Sequence, residues 1–197
     1  MSCIGPAVTQ SHINQLLFFL QLTNIGKDLG VPIKLTISQT NLTDIDLTSF
    51  TSLSFQNLII AQNPSLQSFS TYSSSLINAT NLDLSHNSIT DSGLGSILLN
   101  FTHRVNHVDL QGNLLTSLSK DNFHPFFFNG NGNDGAREVT MDLRGNTFMC
   151  DENMAWLKEL REELEPRITG LDCANDSGFT VFTSAKISDG TCKAGII

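Results

Sequence analysis

The sequence is poor in charged residues, and basic residues are the scarcer kind. Of 197 residues, 15% are charged, and 11 Lys and Arg stand against 19 Asp and Glu, which gives a formal charge of −8. No stretch clusters Lys or Arg in the way that phosphate backbones or anionic lipid surfaces require. The composition therefore argues against nucleic acid and against a membrane surface as partners.

A long hydrophobic run is also missing. A membrane-spanning helix needs about 18 or more consecutive apolar residues, and the nearest candidate, 13–22, is shorter. Helical spacing of its apolar residues, with Ser11 available as N-cap, predicts an amphipathic helix over the N-terminal end of the fold. A signal peptide is the alternative, although a basic n-region is missing. We expect membrane attachment only through segments outside this chain.

Motifs for catalysis and for metal binding are absent from the sequence. It contains no G-x-S-x-G, no H-E-x-x-H and no phosphate-binding loop, and its five His residues are scattered. Its four Cys residues show neither C-x-x-C nor a compact Cys/His spacing, which a zinc site would need. We expect no enzymatic activity, no metal and no cofactor.

What the sequence does contain is a repeat. Five hexamers have apolar residues at their first and third positions, and four of them end in Asn: 35–40, 58–63, 82–87, 108–113 and 141–146. Their third positions lie 23, 24, 26 and 33 residues apart, at Ile37, Ile60, Leu84, Leu110 and Leu143. Such self-similarity predicts stacked parallel strands with an extended concave surface suited to binding. The Asn residues should form a hydrogen-bonded ladder, which Thr40 weakens in the first repeat.

The hexamers and the apolar residues around them resemble the leucine-rich repeat LxxLxLxxNxL. After the last Asn, the segment NTFMCDENMAWL at 146–157 resembles the C-terminal cap N-P-F-x-C-D-C-x-L-x-W-L of extracellular leucine-rich repeat proteins such as Toll-like receptors and Slit-type proteins. The resemblance implies an α/β fold, a right-handed leucine-rich repeat solenoid (horseshoe) of about five repeats with a helical C-terminal cap. It implies a helical N-terminal capping segment at 1–31, repeats at 32–148 and the cysteine-containing cap at 149–197.

The cap of this family has four cysteines, paired first to third and second to fourth. Cys150, Cys173 and Cys192 match the first, third and fourth, whereas Glu152 replaces the second. The resemblance therefore implies a Cys150–Cys173 disulfide and leaves Cys192 without its family partner. Cys3 lies too far along the stack to reach the cap, so an intermolecular bond, and with it a homo-oligomer, stays open.

The cap also contains a predicted helix. Its apolar stripe is Trp156, Leu157, Leu160 and Leu164, with Asp151 at its start and Pro166 at its end. We expect Trp156 to pack on the last repeat, and a ligand-stacking role for it is the alternative.

Four N-x-S/T sequons suggest where the protein is located. Together with the cap they favour a secreted or cell-surface setting, and we expect glycans at Asn41, Asn78, Asn100 and Asn175. Asn78 and Asn100 are predicted to lie between strands, and Asn41 just after one.

The solvent-facing strand residues can be arranged in columns that predict a binding surface. The central column reads Thr36, Ile59, Asp83, Asp109 and Asp142; its neighbours include Ser85, Gln111 and Arg144, then His86, and on the other side Asn57, Asn81 and His107. Three adjacent carboxylates would focus a negative field for a basic ligand. The alternative is that Asp at this position is a common feature of the family, whatever the ligand.

The long fourth spacing contains the second predicted binding element. Phe127 and Phe128 exceed what the repeat needs, and an Asn/Gly-rich run at 129–135 follows them as a predicted loop. Exposed rings on a loop would make a binding anchor. Alternatively, both rings fill the core.

These observations predict a non-enzymatic module that binds a protein ligand through the concave strands, as in an adhesion, immune-recognition or signalling ectodomain. Two alternatives remain, a self-associating extracellular matrix protein and an intracellular leucine-rich repeat adaptor. The adaptor would have reduced thiols and unmodified sequons.

Overall fold

A computed structural model describes residues 1–22, 33–51, 53–70, 77–95, 98, 105–128, 138–150, 152–175 and 178–181. Short strands dominate these ranges. The strands are β1 (Ser2–Ile4), β2 (Ile33–Ser38), β3 (Asp44–Asp46), β4 (Ser54–Ala61), β5 (Ser68–Ser70), β6 (Asn78–Asp83), β7 (His107–Asp109), β8 (Thr140–Asp142), β9 (Ile168–Thr169), β10 (Asp172–Asn175) and β11 (Gly178–Val181). The helices are α1 (Gln10–Leu22), α2 (Asp91–Leu94), α3 (Lys120–Phe128), α4 (Trp156–Glu159) and α5 (Arg161–Leu164), with 3₁₀ turns at Thr48–Phe50 and Glu152–Met154.

Seven of these strands form one parallel sheet. Its order is β1-β2-β4-β6-β7-β8-β9, so the strands lie in the sheet in the same order as along the chain. The five strands predicted from the hexamers, β2, β4, β6, β7 and β8, are adjacent and in parallel register. The stack of parallel strands is therefore present, and it extends by one strand at each end.

Alternation of side chains along the strands builds the core. The first and third hexamer residues are buried in every repeat, as with Leu58 and Ile60 or Val108 and Leu110. The residues between them face the other side of the sheet, as period-two strands require. Phe55, Ala79 and Val105 extend the same core at the strand starts.

A ladder of buried amides joins the turns that follow the strands. Each Asn Oδ1 accepts a hydrogen bond from a backbone N–H of the preceding repeat. Each Nδ2 donates to backbone carbonyls of its own repeat and of the preceding one, and the four residues are Asn63, Asn87, Asn113 and Asn146. The predicted ladder is confirmed. In the first repeat Thr40 contributes only a hydroxyl, which donates to Asn63 Oδ1 at 2.9 Å.

The predicted leucine-rich repeat horseshoe is wrong. The sheet is not curled, and few helices accompany it in the described residues. Between β2 and β4 the chain forms β3 and a 3₁₀ turn, and β3 pairs with β5 in a small second parallel sheet. Ser, Thr and Asp fill these return segments, and their side chains compete with helical backbone hydrogen bonds. Thr48 is an example, because both its backbone N–H and its hydroxyl donate to Asp46 Oδ1.

The N-terminal segment contains the predicted helix, but the helix does not form the edge of the sheet. Helix α1 buries Ile13, Leu17 and Leu20, and it begins at Gln10, so Ser11 lies inside it rather than at its cap. The side chain of Gln10 donates to Asp46 O and accepts from Asp46 N, both at 3.1 Å, which holds α1 against β3. The edge of the large sheet is strand β1, which the sequence pattern did not indicate.

Cys3 lies in β1 and forms no disulfide. Burial raises the pKa of its thiol, and the nearby N-terminal amine opposes this shift. Cys192 lies outside the described residues.

The C-terminal region contains the predicted disulfide. Cys150 and Cys173 are bonded, with their Cα atoms 5.6 Å apart. Trp156 is buried, and its Nε1 donates to Leu118 O at 2.8 Å, so it packs on the segment between β7 and α3, which belongs to the fourth repeat. The predicted single helix is interrupted, because Leu160 leaves the helical conformation (φ −110°, ψ 21°) between α4 and α5. Asp151 lies outside the described residues.

Candidate functional site

The exposed face of the large sheet brings together most of the predicted binding residues. Asp83 on β6 pairs in register with Asp109 on β7, and Asp109 pairs with Asp142 on β8. Thr36 and Ile59 continue this column on β2 and β4. A second column, also in register, contains Lys34, Asn57, Asn81, His107 and Thr140. The predicted columns therefore exist on adjacent strands, on a sheet that is not curled rather than on a concave one.

All three aspartates also have a structural role at the ends of their strands. In each, Oδ1 accepts a hydrogen bond from the backbone N–H two residues later, at Ser85, Gln111 or Arg144, with distances of 2.9 to 3.1 Å. This is an Asx turn, in which the side chain replaces a backbone acceptor. Oδ1 of each aspartate therefore supports the turn, a role that does not depend on a ligand.

The side chains two positions later bond to the aspartates, although Arg144 is itself largely exposed. Ser85 is buried, and its hydroxyl donates to Asp83 Oδ1 at 2.7 Å. Gln111 Nε2 donates to Asp109 Oδ2 at 2.9 Å. Ser85 is thus buried and already bonded to Asp83, and its predicted part in ligand binding stays a prediction.

Asp142 differs from the other two because it forms a salt bridge. Arg144 NH2 lies 2.6 Å from Asp142 Oδ2, and Nε contacts both carboxylate oxygens at 3.0 Å. Burial raises the pKa of Asp142, but the hydrogen bonds and charge of Arg144, aided by His107, outweigh burial and leave the pKa below its usual value. The same ion pair raises the pKa of the Arg144 guanidinium. At this end of the column the negative charge is compensated.

A depression of about 180 Å³ lies at the other end of the column. It is lined by Asn57, Ile59, Asn81, Asp83, His107 and Asp109. Asn81 Nδ2 donates to Asn57 Oδ1 at 3.0 Å, and His107 Nδ1 is 2.8 Å from Thr140 Oγ1. Asn57, Ile59 and Asn81 belong to the columns from which the binding surface was predicted, and the structure places them beside Asp83 and Asp109.

His86 lies on the turn just beyond this face. It is exposed and has a left-handed backbone (φ 54°), as do Gln39 and Gln62 in the equivalent turns. Gly112 follows in the next repeat, and a Cβ there would approach His86 Nδ1 to 2.7 Å. The imidazole thus lies against Gly112, outside the depression.

The predicted aromatic anchor is not on the surface. Phe127 is fully buried in helix α3, where its ring meets Phe126 at 5.5 Å between centroids. Phe128 is half-buried, and its ring lies 4.8 Å from that of His124. The alternative, in which these rings fill the core, describes Phe127, because helix α3 points it inward. The predicted loop at 129–135 lies outside the described residues.

The sequons occupy different environments. Asn41 is exposed after β2. Asn78 lies within β6 rather than between strands, and its Nδ2 donates to Ser54 Oγ on β4 at 2.7 Å. Asn175 is the last residue of β10. Asn100 lies outside the described residues.

The described residues contain no group of three or more His, Cys, Asp or Glu side chains placed to hold a metal ion. In the same ranges, no helix combines the length and the apolar character needed to cross a membrane.

Comparison with protein-family models finds no match, and comparison with curated proteins finds no similar sequence.

Proposed function

We propose that this protein is a non-enzymatic recognition module that binds a protein ligand with the exposed face of its parallel sheet. The observation that carries the proposal is the in-register polar column of Asp83, Asp109 and Asp142, with a depression beside its first two members. The opposite side of the same strands is core. This face is therefore the side of the sheet that a partner can reach.

The size of the face suits a protein better than a small molecule. Parallel strands lie about 4.8 Å apart, so seven of them span about 30 Å. A standard protein interface buries about 800 Å² on each partner, so an occupant that spans this width is a protein rather than a small molecule. The buried Asn ladder fixes the strand ends, so the face would change little on binding.

We also propose a secreted or cell-surface location. The Cys150–Cys173 disulfide supports it, since disulfides persist mainly in oxidising compartments. The exposed sequon at Asn41 and the sequence resemblance to extracellular caps point the same way. After expression in secreting eukaryotic cells, peptide mapping by mass spectrometry should find this bond and glycan at Asn41. Free thiols on a folded, unmodified chain would favour the intracellular alternative.

The binding proposal is tested with a charge reversal on the face. The double variant Asp83→Lys with Asp109→Lys is compared with wild type against an array of purified secreted and cell-surface ectodomains. Under the proposal, the variant loses the ectodomain that the wild type binds, because two cations replace two anions at the centre of the face.

The matched control carries the same change of net charge elsewhere. Glu162→Lys with Glu163→Lys alters two exposed residues of helix α5, outside the sheet face. Circular dichroism checks that both variants are folded. If the sheet variant binds as wild type does, or if both variants lose binding equally, the sheet face is not the recognition surface.

A further inference from the structure

The depression on the sheet face has a size and a chemistry that specify part of the ligand. We propose that it receives one lysine or arginine side chain of the partner protein. This inference rests on the proposed function and deepens it, because it names the group that the face recognises. It depends on three observations: the volume of the depression, the uneven compensation of charge along the column, and the polar groups on its walls.

The volume excludes most other occupants. Sites for small molecules and cofactors measure about 300–1,000 Å³, whereas this depression measures about 180 Å³. It is therefore too small for a cofactor but suits a single side chain that projects from a larger partner. Interfaces commonly place such an anchor residue in a pocket near their centre.

The charge of the column is compensated at one end only. Arg144 pairs with Asp142, which is outside the depression. In the described part of the chain, Asp83 and Asp109 form no salt bridge. Asp83 Oδ1 accepts from Ser85, and no hydrogen bond to Asp83 Oδ2 is found among those residues. Asp109 Oδ2 accepts from Gln111 Nε2, so Asp83 Oδ2 is the carboxylate oxygen at the depression where a cation would complete the pairing.

The walls match both parts of a long basic side chain. Ile59 is half-buried and offers an apolar surface to the methylene stem. Because Asn81 donates through Nδ2 to Asn57, its own carbonyl oxygen is left as an acceptor beside Asp83. Carboxylate and amide oxygens together suit the several N–H donors of an ammonium or guanidinium group.

The test uses model compounds on the whole chain. Nuclear magnetic resonance titration follows the backbone amides of the ¹⁵N-labelled protein with N-acetyl-lysine methylamide, its arginine counterpart and the uncharged norleucine counterpart. We expect the two basic compounds to give saturable shifts at Asp83, Ser85 and Asp109, and norleucine to give none. Asp83→Asn keeps an acceptor for the Ser85 N–H but loses the charge, so affinity should fall about tenfold.

Glu163→Gln is the matched control, since it removes one charge outside the depression and should leave the affinity unchanged. The inference is overturned if the basic compounds give no saturable shifts, if norleucine binds equally, or if Glu163→Gln weakens binding as much as Asp83→Asn. Its failure is separable from that of the proposed function. Suppose that Asp83→Lys with Asp109→Lys still loses the ectodomain while the basic compounds do not bind. The face then recognises a protein by other contacts.

Discussion

At the scale of single residues, two polar side chains of each repeat have different tasks. The Asn after the strand is buried and ties neighbouring turns together. In the last three repeats, the Asp within the strand accepts from the backbone of its own turn through Oδ1. Asp83 and Asp109 are partly exposed, whereas Asp142 is buried against Arg144. Burial separates the two roles: a buried amide with all its partners stabilises, whereas a partly exposed carboxylate remains able to bind.

Replacing a ladder residue should destabilise the fold more than replacing an Asn of the exposed face. Asn87→Ala leaves the N–H of Asn63 and the carbonyl of Ile60 without their side-chain partner, and it removes one of the two side-chain donors to Leu84 O. We expect a loss of about 3 kcal/mol in the free energy of unfolding, measured in urea. Asn81→Ala, which removes one bond on the exposed face, should lose less than about 1 kcal/mol. Equal losses would show that the ladder is not a main source of stability.

The ion pair of Asp142 predicts a specific dependence of stability on pH. Its folded pKa lies below the unfolded value of about 3.9. At pH values between these two pKa values, the unfolded state therefore binds more protons than the folded state. The stabilisation is present above about pH 4 and is lost as the pH falls through the lower folded pKa. Asp142→Asn should therefore be less stable than wild type near neutral pH, and the difference should shrink in acid. Urea unfolding across this range measures it; a constant difference would contradict the assignment.

At the scale of elements, the strands could be predicted from the sequence and the segments between them could not. Alternating apolar residues mark β2, β4, β6, β7 and β8, because each strand buries one face. The returns are Ser- and Thr-rich, without apolar spacing of either period, so β3, β5 and the 3₁₀ turn left no signal. Strand β1 is three residues long, too short for any alternation to show. No helix was predicted at α3, which contains Pro125, a residue type that disfavours helix interiors.

Helix α3 is where the predicted binding anchor proved to be core, which gives a test by stability. Phe127→Ala should lower the free energy of unfolding by about 3–5 kcal/mol, the usual cost of deleting a buried ring. Phe128→Ala, at a half-buried site, should lose clearly less. Thermal and urea unfolding compare them. If Phe127→Ala kept its stability and lost ligand binding, the ring would be an anchor after all.

At the scale of the whole molecule, the disulfide fastens the C-terminal region to the end of the sheet. It joins residues 23 positions apart, and closing a loop of this length constrains the unfolded chain by about 3 kcal/mol. Cys150→Ala with Cys173→Ala should lose about this much stability, and Cys3→Ser much less, since Cys3 forms no disulfide. Under reducing conditions, the stability of the wild-type protein should approach that of the double variant. Unchanged stability on reduction would show that the bond has no structural role.

The curvature of the molecule was the largest error of the sequence interpretation. The hexamers specify parallel strands, their register and the Asn ladder, all of which are local features or depend on neighbouring repeats. Curling depends on the bulk of the return segments relative to the strands. Here those segments contain short strands and turns with few helices among the described residues, and the sheet is not curled. The candidate surface is unchanged by the absence of curling, because the side-chain columns depend on the register of the strands and not on the curvature of the sheet.

The most direct test of the sheet as recognition surface is one ratio of affinities. For an ectodomain bound by the wild-type protein, the dissociation constant is measured for Asp83→Lys with Asp109→Lys and for Glu162→Lys with Glu163→Lys. We predict that the sheet variant binds at least about a hundredfold more weakly than the helix variant, a difference of about 2.7 kcal/mol. A ratio near one would contradict the account and place recognition on another surface.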